Sequence, residues 1–221
     1  QWKSSWLSRE AWLAVGALNV MAIYGAGLVF YSTTIIPLGL LGAVLSIATV
    51  YATSMIYAQL KTVPRWNTSL TSILFLLLSL TGGALLSAQI EIALILLIVV
   101  GVVQVIYWIL GDQALNKSGT DMSTATGLRR QGNVRAFEPP HTGTNYLLRE
   151  FVYVVGRKHA AKLRIISLIL MIGMPVLFLA LPFTNLFIFL AVFAHTTGLF
   201  ISRWLFFAQA EHVVGLYYGH R

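Results

Sequence analysis

The chain has 221 residues, with fifteen Lys and Arg against seven Asp and Glu for a formal charge of +8, and it has no cysteine. Hydrophobic residues make up 57%, charged residues only 10%, and mean hydropathy is +0.79, whereas a soluble domain carries about a quarter charged residues. Most of the chain must therefore face lipid or other helices, and disulfides, thiolate-held metals and iron–sulfur clusters within it are excluded. The positive charge gathers at segment ends, where it meets lipid headgroups or an acidic partner, so nucleic acid is not an expected ligand.

Gln1 to Glu10 is a polar lead-in with two tryptophans and two basic residues. It has no initiator Met and no signal-peptide apolar core, so the start looks cut. Ser8 is the expected helix cap, with Glu10 in the first turn complementing the dipole. Trp2, Trp6 and Trp12 fit an interfacial aromatic belt. Span one is predicted from about Ala11 to Tyr31, long enough for a hydrocarbon core of about 30 Å. Span two runs from about Ile35 to Leu60, with Pro37 in the first turn where it costs no helix bond. The hinge Lys61–Asn67 leads to span three, about Ser69 to Ala88, in which Gly82, Gly83 and Ala84 would admit a neighbouring backbone. Span four runs from about Ile92 to Leu110. Spans five (about Leu163 to Phe183) and six (about Leu186 to Gln209) follow, and Pro175 should kink span five.

The fold class is thus all-α, a polytopic transmembrane bundle of six spans. The organisation expected is a four-helix block over 1–110, a basic loop with an interfacial helix over 111–163, and a two-helix block with a tail over 164–221. Within the loop, Gly111 to Gly143 reads as irregular, and the segment from Asn145 to Val155 as a helix lying at the membrane surface. Alternation of the spans puts the N-terminus, the hinge, the long loop and the C-terminus on one side. All fifteen basic residues fall on that side, counting Arg203 near the end of span six. The positive-inside rule makes it cytoplasmic, in a multi-pass protein of a bacterial inner membrane. A loop of this length has a job, either as a solvated basic linker on anionic lipid or as a dock for a soluble partner. Lys61, Arg65, Arg129, Arg130, Arg135 and Arg149 are the candidate docking residues.

Polar residues inside spans are costly and point to function or helix pairing. His195 falls near mid-membrane, where it could relay protons, ligate haem, or simply bond a neighbouring helix. A bis-histidine haem needs a second imidazole at similar depth; His141, His159, His212 and His220 lie outside the spans or at their edge, so no haem is expected in this chain. Asn19 and Gln104 are read as interhelix hydrogen bonds. At the basic end, Arg203 and Glu211 would share a face if span six continued. Arg9, Glu10, Tyr57, Arg65 and Trp66 lie at a similar depth. Charges and aromatics so placed suit a quinone headgroup, whose carbonyls need donors and whose redox change needs proton carriers. The alternative is snorkelling charges within an aromatic belt. The candidate quinone residues are Arg9, Glu10, Tyr57, Trp66, Arg203, His212 and Tyr217, with Glu211 and His195 as proton carriers. No catalytic or metal-ligating residue is expected. A secondary transporter is disfavoured, because no repeat is visible and His195 is the only mid-span ionisable group.

Ser5 to Glu10, Met55-Ile56-Tyr57 followed by Thr62 to Thr68, and Arg203 to Ala208 with His212 to Tyr218 resemble the membrane anchor of dimethyl sulfoxide reductase. Glu138 to Tyr146 with Arg157 to Lys162 is similar to the branch found with cytoplasmic sulfite:quinone oxidoreductase (sulfite dehydrogenase). The resemblance implies an all-helical, haem-free anchor that exchanges electrons between membrane quinone (ubiquinone or menaquinone) and a four-cluster iron–sulfur subunit. That subunit would be wired to a molybdenum bis-pterin catalytic subunit. The resemblance also implies eight spans, with a His-Leu-Gly motif ending the second. This sequence shows six and no such motif, so two N-terminal spans and part of the quinone site are expected to lie ahead of Gln1. Electrons would flow from sulfite to quinone, or in the sulfoxide branch from menaquinol.

Overall fold

The computed structural model describes residues 3–128, 134–135, 137–138, 157–182, 185–213 and 215. The surface helix expected over 145–155, together with Arg129, Arg130, Arg149 and Tyr217, lies outside the described residues. Six helical spans of 18 to 26 residues are present, each long and apolar enough to cross a membrane. They are α1 (Trp6–Tyr31), α2 (Ile36–Ala58), α3 (Ser69–Leu86), α4 (Ile90–Asp112), a fifth span in parts, and a sixth (Asn185–Ala208). Two short helices, α5 (Ala114–Lys117) and α6 (Met122–Thr126), follow α4 in the stretch read from sequence as irregular. Asp121 explains the second: its carboxylate accepts from the Thr124 N–H while Thr124 answers the Asp121 N–H, a capping box.

The fifth span comprises α7 (Ala160–Leu168), a π-helical turn (Ile169–Gly173) and α8 (Met174–Ala180); the sixth span is α9. Pro175, expected to kink this span, stands in the first turn of α8 directly after the π turn. Pro175 has no N–H to offer the Met171 carbonyl four residues back. That carbonyl is instead reached by Nδ1 of His195 on α9, at 2.7 Å. A carbonyl only accepts, so Nδ1 carries the proton. Gly198 makes the approach possible, because a Cβ there would collide with the Met171 N and lie 2.7 Å from its Cα. His195 is thus a buried helix-to-helix tie.

Several hydroxyls inside the spans are satisfied locally. Ser46, Thr49, Thr81, Thr196 and Thr197 each donate to the carbonyl four residues back, at 2.7–2.9 Å. This is how polar side chains survive where no water is available. Asn19 does the same, bonding the Val15 carbonyl of its own helix rather than another span as expected. Gln104 does bridge helices, accepting from Ser202 at 3.1 Å.

The bundle proper is α3, α4, α7–α8 and α9, while α1 packs on α2 and α2 on α3 as a lateral hairpin. Leu74, Leu78, Val100, Tyr107, Trp108, Met171, Leu205 and Phe206 form the core toward the basic end, and Leu85, Ala93, Leu97, Leu179 and Ala191 the core at the other. In α1 only Ala17 is fully buried, and the helix packs on α2 with its other side turned to the surroundings.

Two expectations from sequence are corrected. Helix α1 begins at Trp6, with Ser5 and not Ser8 at its cap position and no side-chain cap bond. Arg9 steadies the start instead, donating to the Lys3 carbonyl at 2.7 and 3.1 Å. The close backbone approach belongs to Gly198 rather than to Gly82 and Gly83, which face open space; Gly42 is crowded by a side chain instead, lying under Met21. Gly198→Ala should therefore destabilise the bundle by about 1–3 kcal/mol, the usual penalty of overpacking against backbone. Gly42→Ala should cost less, since Met21 can rotate away, and Gly82→Ala should be neutral or stabilising. Thermal unfolding in detergent gives this ranking; a Gly198→Ala midpoint at or above that of Gly42→Ala would contradict it.

Candidate functional site at the basic end of the bundle

Four segment ends meet at Asp112, the last residue of α4. Its carboxylate accepts from Arg65 Nη2 in the hinge at 2.7 Å and from Arg164 Nη1 and Nη2 on α7 at 2.7 and 2.6 Å. Arg164 also donates to Gln209 Oε1 just past α9 at 3.3 Å, and lies over the Trp108 ring at 5.4 Å. A carboxylate at a helix C-terminus opposes the dipole, and the two guanidinium groups offset that. Beyond α9 the tail folds back. The Val213 N–H donates to the Thr62 carbonyl at 2.9 Å, and Arg157 reaches the Ala210 carbonyl at 3.2 Å and Glu211 at 3.8 Å.

Above this junction lies an aromatic nest. The Trp66 ring stacks on Phe206 at 5.0 Å and 10°, and its indole N–H donates to the Phe206 carbonyl at 3.0 Å. Tyr57 meets Trp66 and Phe206 edge-on, each at 5.3 Å, and Phe207 at 5.7 Å. Arg203 places its guanidinium 4.6 Å from the Phe75 ring and 4.9 Å from the Phe206 ring. Its Nε is buried without a hydrogen-bond partner among the described residues. The π faces hold this cation where a carboxylate would otherwise be needed, and a donor remains without an acceptor among the described residues.

Of the residues singled out from sequence, Tyr57, Trp66 and Arg203 come together in this nest. Glu10 lies on α1 and accepts from Thr53, one turn before Tyr57 on α2, at 2.6 Å. Arg9 stacks over Trp6 at 4.5 Å, beside a groove of about 450 Å³ lined also by Trp12, Tyr51 and Ala52. Glu211 does not share a helix face with Arg203, because α9 stops at Ala208; it pairs with Arg157. His212 follows it, with burial holding its imidazole below the ordinary histidine range. His195 lies apart, at Met171. Lys61 is exposed at the hinge and Arg135 in the loop, whereas Arg65 is only 7% exposed. Asp112, Arg164, Phe75, Tyr107 and Phe206 were not singled out from sequence. The signal for Asp112 was present: an acid ending an apolar span is favourable only where cations hold it.

Asp112→Asn should weaken both guanidinium contacts and leave Arg65 buried without a counter-charge, at a cost on the order of 2–3 kcal/mol, reduced from the fully buried case because Asp112 is half exposed. Detergent unfolding of the variant should show it, and an unchanged midpoint would count against the junction.

Residues 2–219 match the family model described as DMSO reductase anchor subunit (DmsC). The chain is also 29% identical over 246 aligned residues to a subunit of the sulfite dehydrogenase of Allochromatium vinosum, covering 98% of this chain and 75% of that protein. No solved structure matches. With six apolar spans and a family model that takes in almost every residue, this multi-pass membrane protein belongs to the DMSO reductase anchor subunit family.

Proposed function

We propose that the chain is the quinone-reactive anchor of a molybdenum/iron–sulfur oxidoreductase in a bacterial inner membrane, passing electrons from sulfite oxidation to quinone. The observation that carries this reading is the Arg203 nest: a buried guanidinium with an uncommitted Nε, among Tyr57, Trp66 and Phe206, at the end of the bundle where the basic residues collect. A quinone carbonyl accepts from such a donor, and the neighbouring rings suit a flat headgroup. Family membership and the sulfite dehydrogenase relative supply the redox context.

Sulfite and water yield sulfate, two protons and two electrons. Quinone takes up two electrons and two protons to become quinol. The iron–sulfur and molybdenum bis-pterin groups of the soluble partners would carry the first half-reaction; this chain's residues serve the second. Arg203 polarises the carbonyl that gains charge. Neutral His212, with Glu211 beside it, accepts a proton from the aqueous side and hands it inward. The basic end faces the cytoplasm on this reading, and Lys61, Arg135 and the neighbouring loop meet the iron–sulfur subunit there. The family's name keeps a second direction in view, oxidation of menaquinol for sulfoxide reduction.

Membranes holding the assembled complex should reduce a quinone analogue when given sulfite, and loss of this chain should abolish that while sparing sulfite oxidation by an artificial acceptor. Sulfoxide-dependent quinol oxidation in its place would select the second direction. Arg203→Gln should lower quinone turnover roughly 10- to 100-fold, as expected for a lost charge-assisted hydrogen bond, with artificial-acceptor turnover and assembly intact. Equal loss with both acceptors would remove the nest as the quinone site. Because burial lowers the His212 pKa, quinone turnover should persist down to pH values below the ordinary histidine range before protonation reduces it. His212→Gln should remove that acid limb, and an identical pH profile would show that His212 carries no proton.

A further inference from the structure

A cavity of about 530 Å³, separate from the nest's ring contacts, opens between the hinge and the end of α4. Among the described residues, Lys61, Arg65 and Lys117 line it with three cations, and no Asp or Glu does. Thr68, Ser118 and Thr120 add hydroxyls, while Leu70 and Leu110, from the first turn of α3 and the last turn of α4, give it an apolar edge.

Arg65 makes the cavity more than a patch of surface lysines. Its side chain is 8% exposed, and while Nη2 bonds Asp112, Nε and Nη1 are buried with no hydrogen-bond partner among the described residues. Gly111, also lining the cavity, gives the guanidinium its place; a Cβ there would lie 2.8 Å from Nη1 and 3.2 Å from Cγ. Buried donors without acceptors are costly. The Asp112 carboxylate does not neutralise the site, because it is shared between Arg65 and Arg164.

We propose that this cavity binds the phosphate headgroup of an anionic phospholipid. The location decides between ligands. The cations sit at the ends of two spans, at the level where headgroups lie, and the apolar edge continues down those spans where an acyl chain runs. Basic pockets of this kind between helices on the cytoplasmic side suit anionic headgroups, and a guanidinium fork matches phosphate oxygens. The bound lipid would brace the hinge against α4 beside the nest.

Native mass spectrometry of the full chain in mild detergent tests this, with phosphatidylglycerol, phosphatidylcholine and inorganic phosphate as probes. Phosphatidylglycerol should bind at least about tenfold tighter than phosphatidylcholine. The double variant Lys61→Gln/Lys117→Gln, changed at two exposed side chains that the fold does not need, should lose roughly that preference and leave phosphatidylcholine unaffected. Equal binding of the two lipids would overturn the proposal. So would displacement of phosphatidylglycerol by inorganic phosphate at matching concentration, which would mean a free-anion site. An unchanged lipid preference in the double variant would overturn it as well. A failed quinone assay with the lipid preference intact would count against the quinone site alone.

Discussion

The carboxylate of Asp112 is the point on which the basic end of this molecule depends. It holds the hinge through Arg65 and the fifth span through Arg164, and Arg164 in turn holds the residue just past α9. Those contacts join helix ends that are far apart in sequence. The nest of Tyr57, Trp66, Phe206 and Arg203 shares the hinge and the end of α9 with that junction and adds the end of α2. If the junction opened, Trp66 and Phe206 would be set by ring packing and one hydrogen bond alone. Electrostatics fixes the frame here, and aromatic packing fills it.

The bilayer imposes the other governing rule, that every polar group inside it finds a partner within the protein. At the centre of the bundle the Met171 carbonyl meets it by an exchange. A proline withholds its N–H, a histidine supplies one, and a glycine lets the two helices come close enough. Elsewhere several hydroxyls and one amide turn back on their own helices, while Ser54 and Ser202 reach a neighbouring one. Polar residues in these spans thus divide into those that knit helices together, such as His195 and Gln104, and those that cost nothing and connect nothing, such as Thr196 and Asn19.

Much of the fold was legible in the sequence, because about twenty consecutive apolar residues admit few structures and the six spans stand out by length alone. Their ends were less legible. Hydropathy places α1 at Ala11, whereas the amphipathic turn from Trp6, with Arg9 reaching back to Lys3, is already helical. Tyr57, Trp66 and Arg203 could be found because they fall at one depth near span ends and combine a donor with flat rings, as a quinone headgroup needs. Their supports, Phe75, Phe206 and Tyr107, could not, since one aromatic in an apolar helix looks like any other until the helices are crossed. Gly198 was hidden for a similar reason: a lone glycine carries no mark of what passes over it, whereas the pair Gly82-Gly83 attracts notice and faces nothing.

The π turn at Ile169–Gly173 sets rotational phase as well as accommodating Pro175. A helix advances about 100° per residue, and a π turn holds one more residue than the α turn it replaces. The fifth span is therefore two indexed halves. Arg164 on one half is aimed at Asp112, Leu179 on the other is aimed into the far core, and the added residue keeps both aims true at once. The count of residues between these two positions is itself part of the design, independent of their chemistry. A sequence that kept every side chain type here but lost one residue would still be apolar and helical, with its two ends facing different ways.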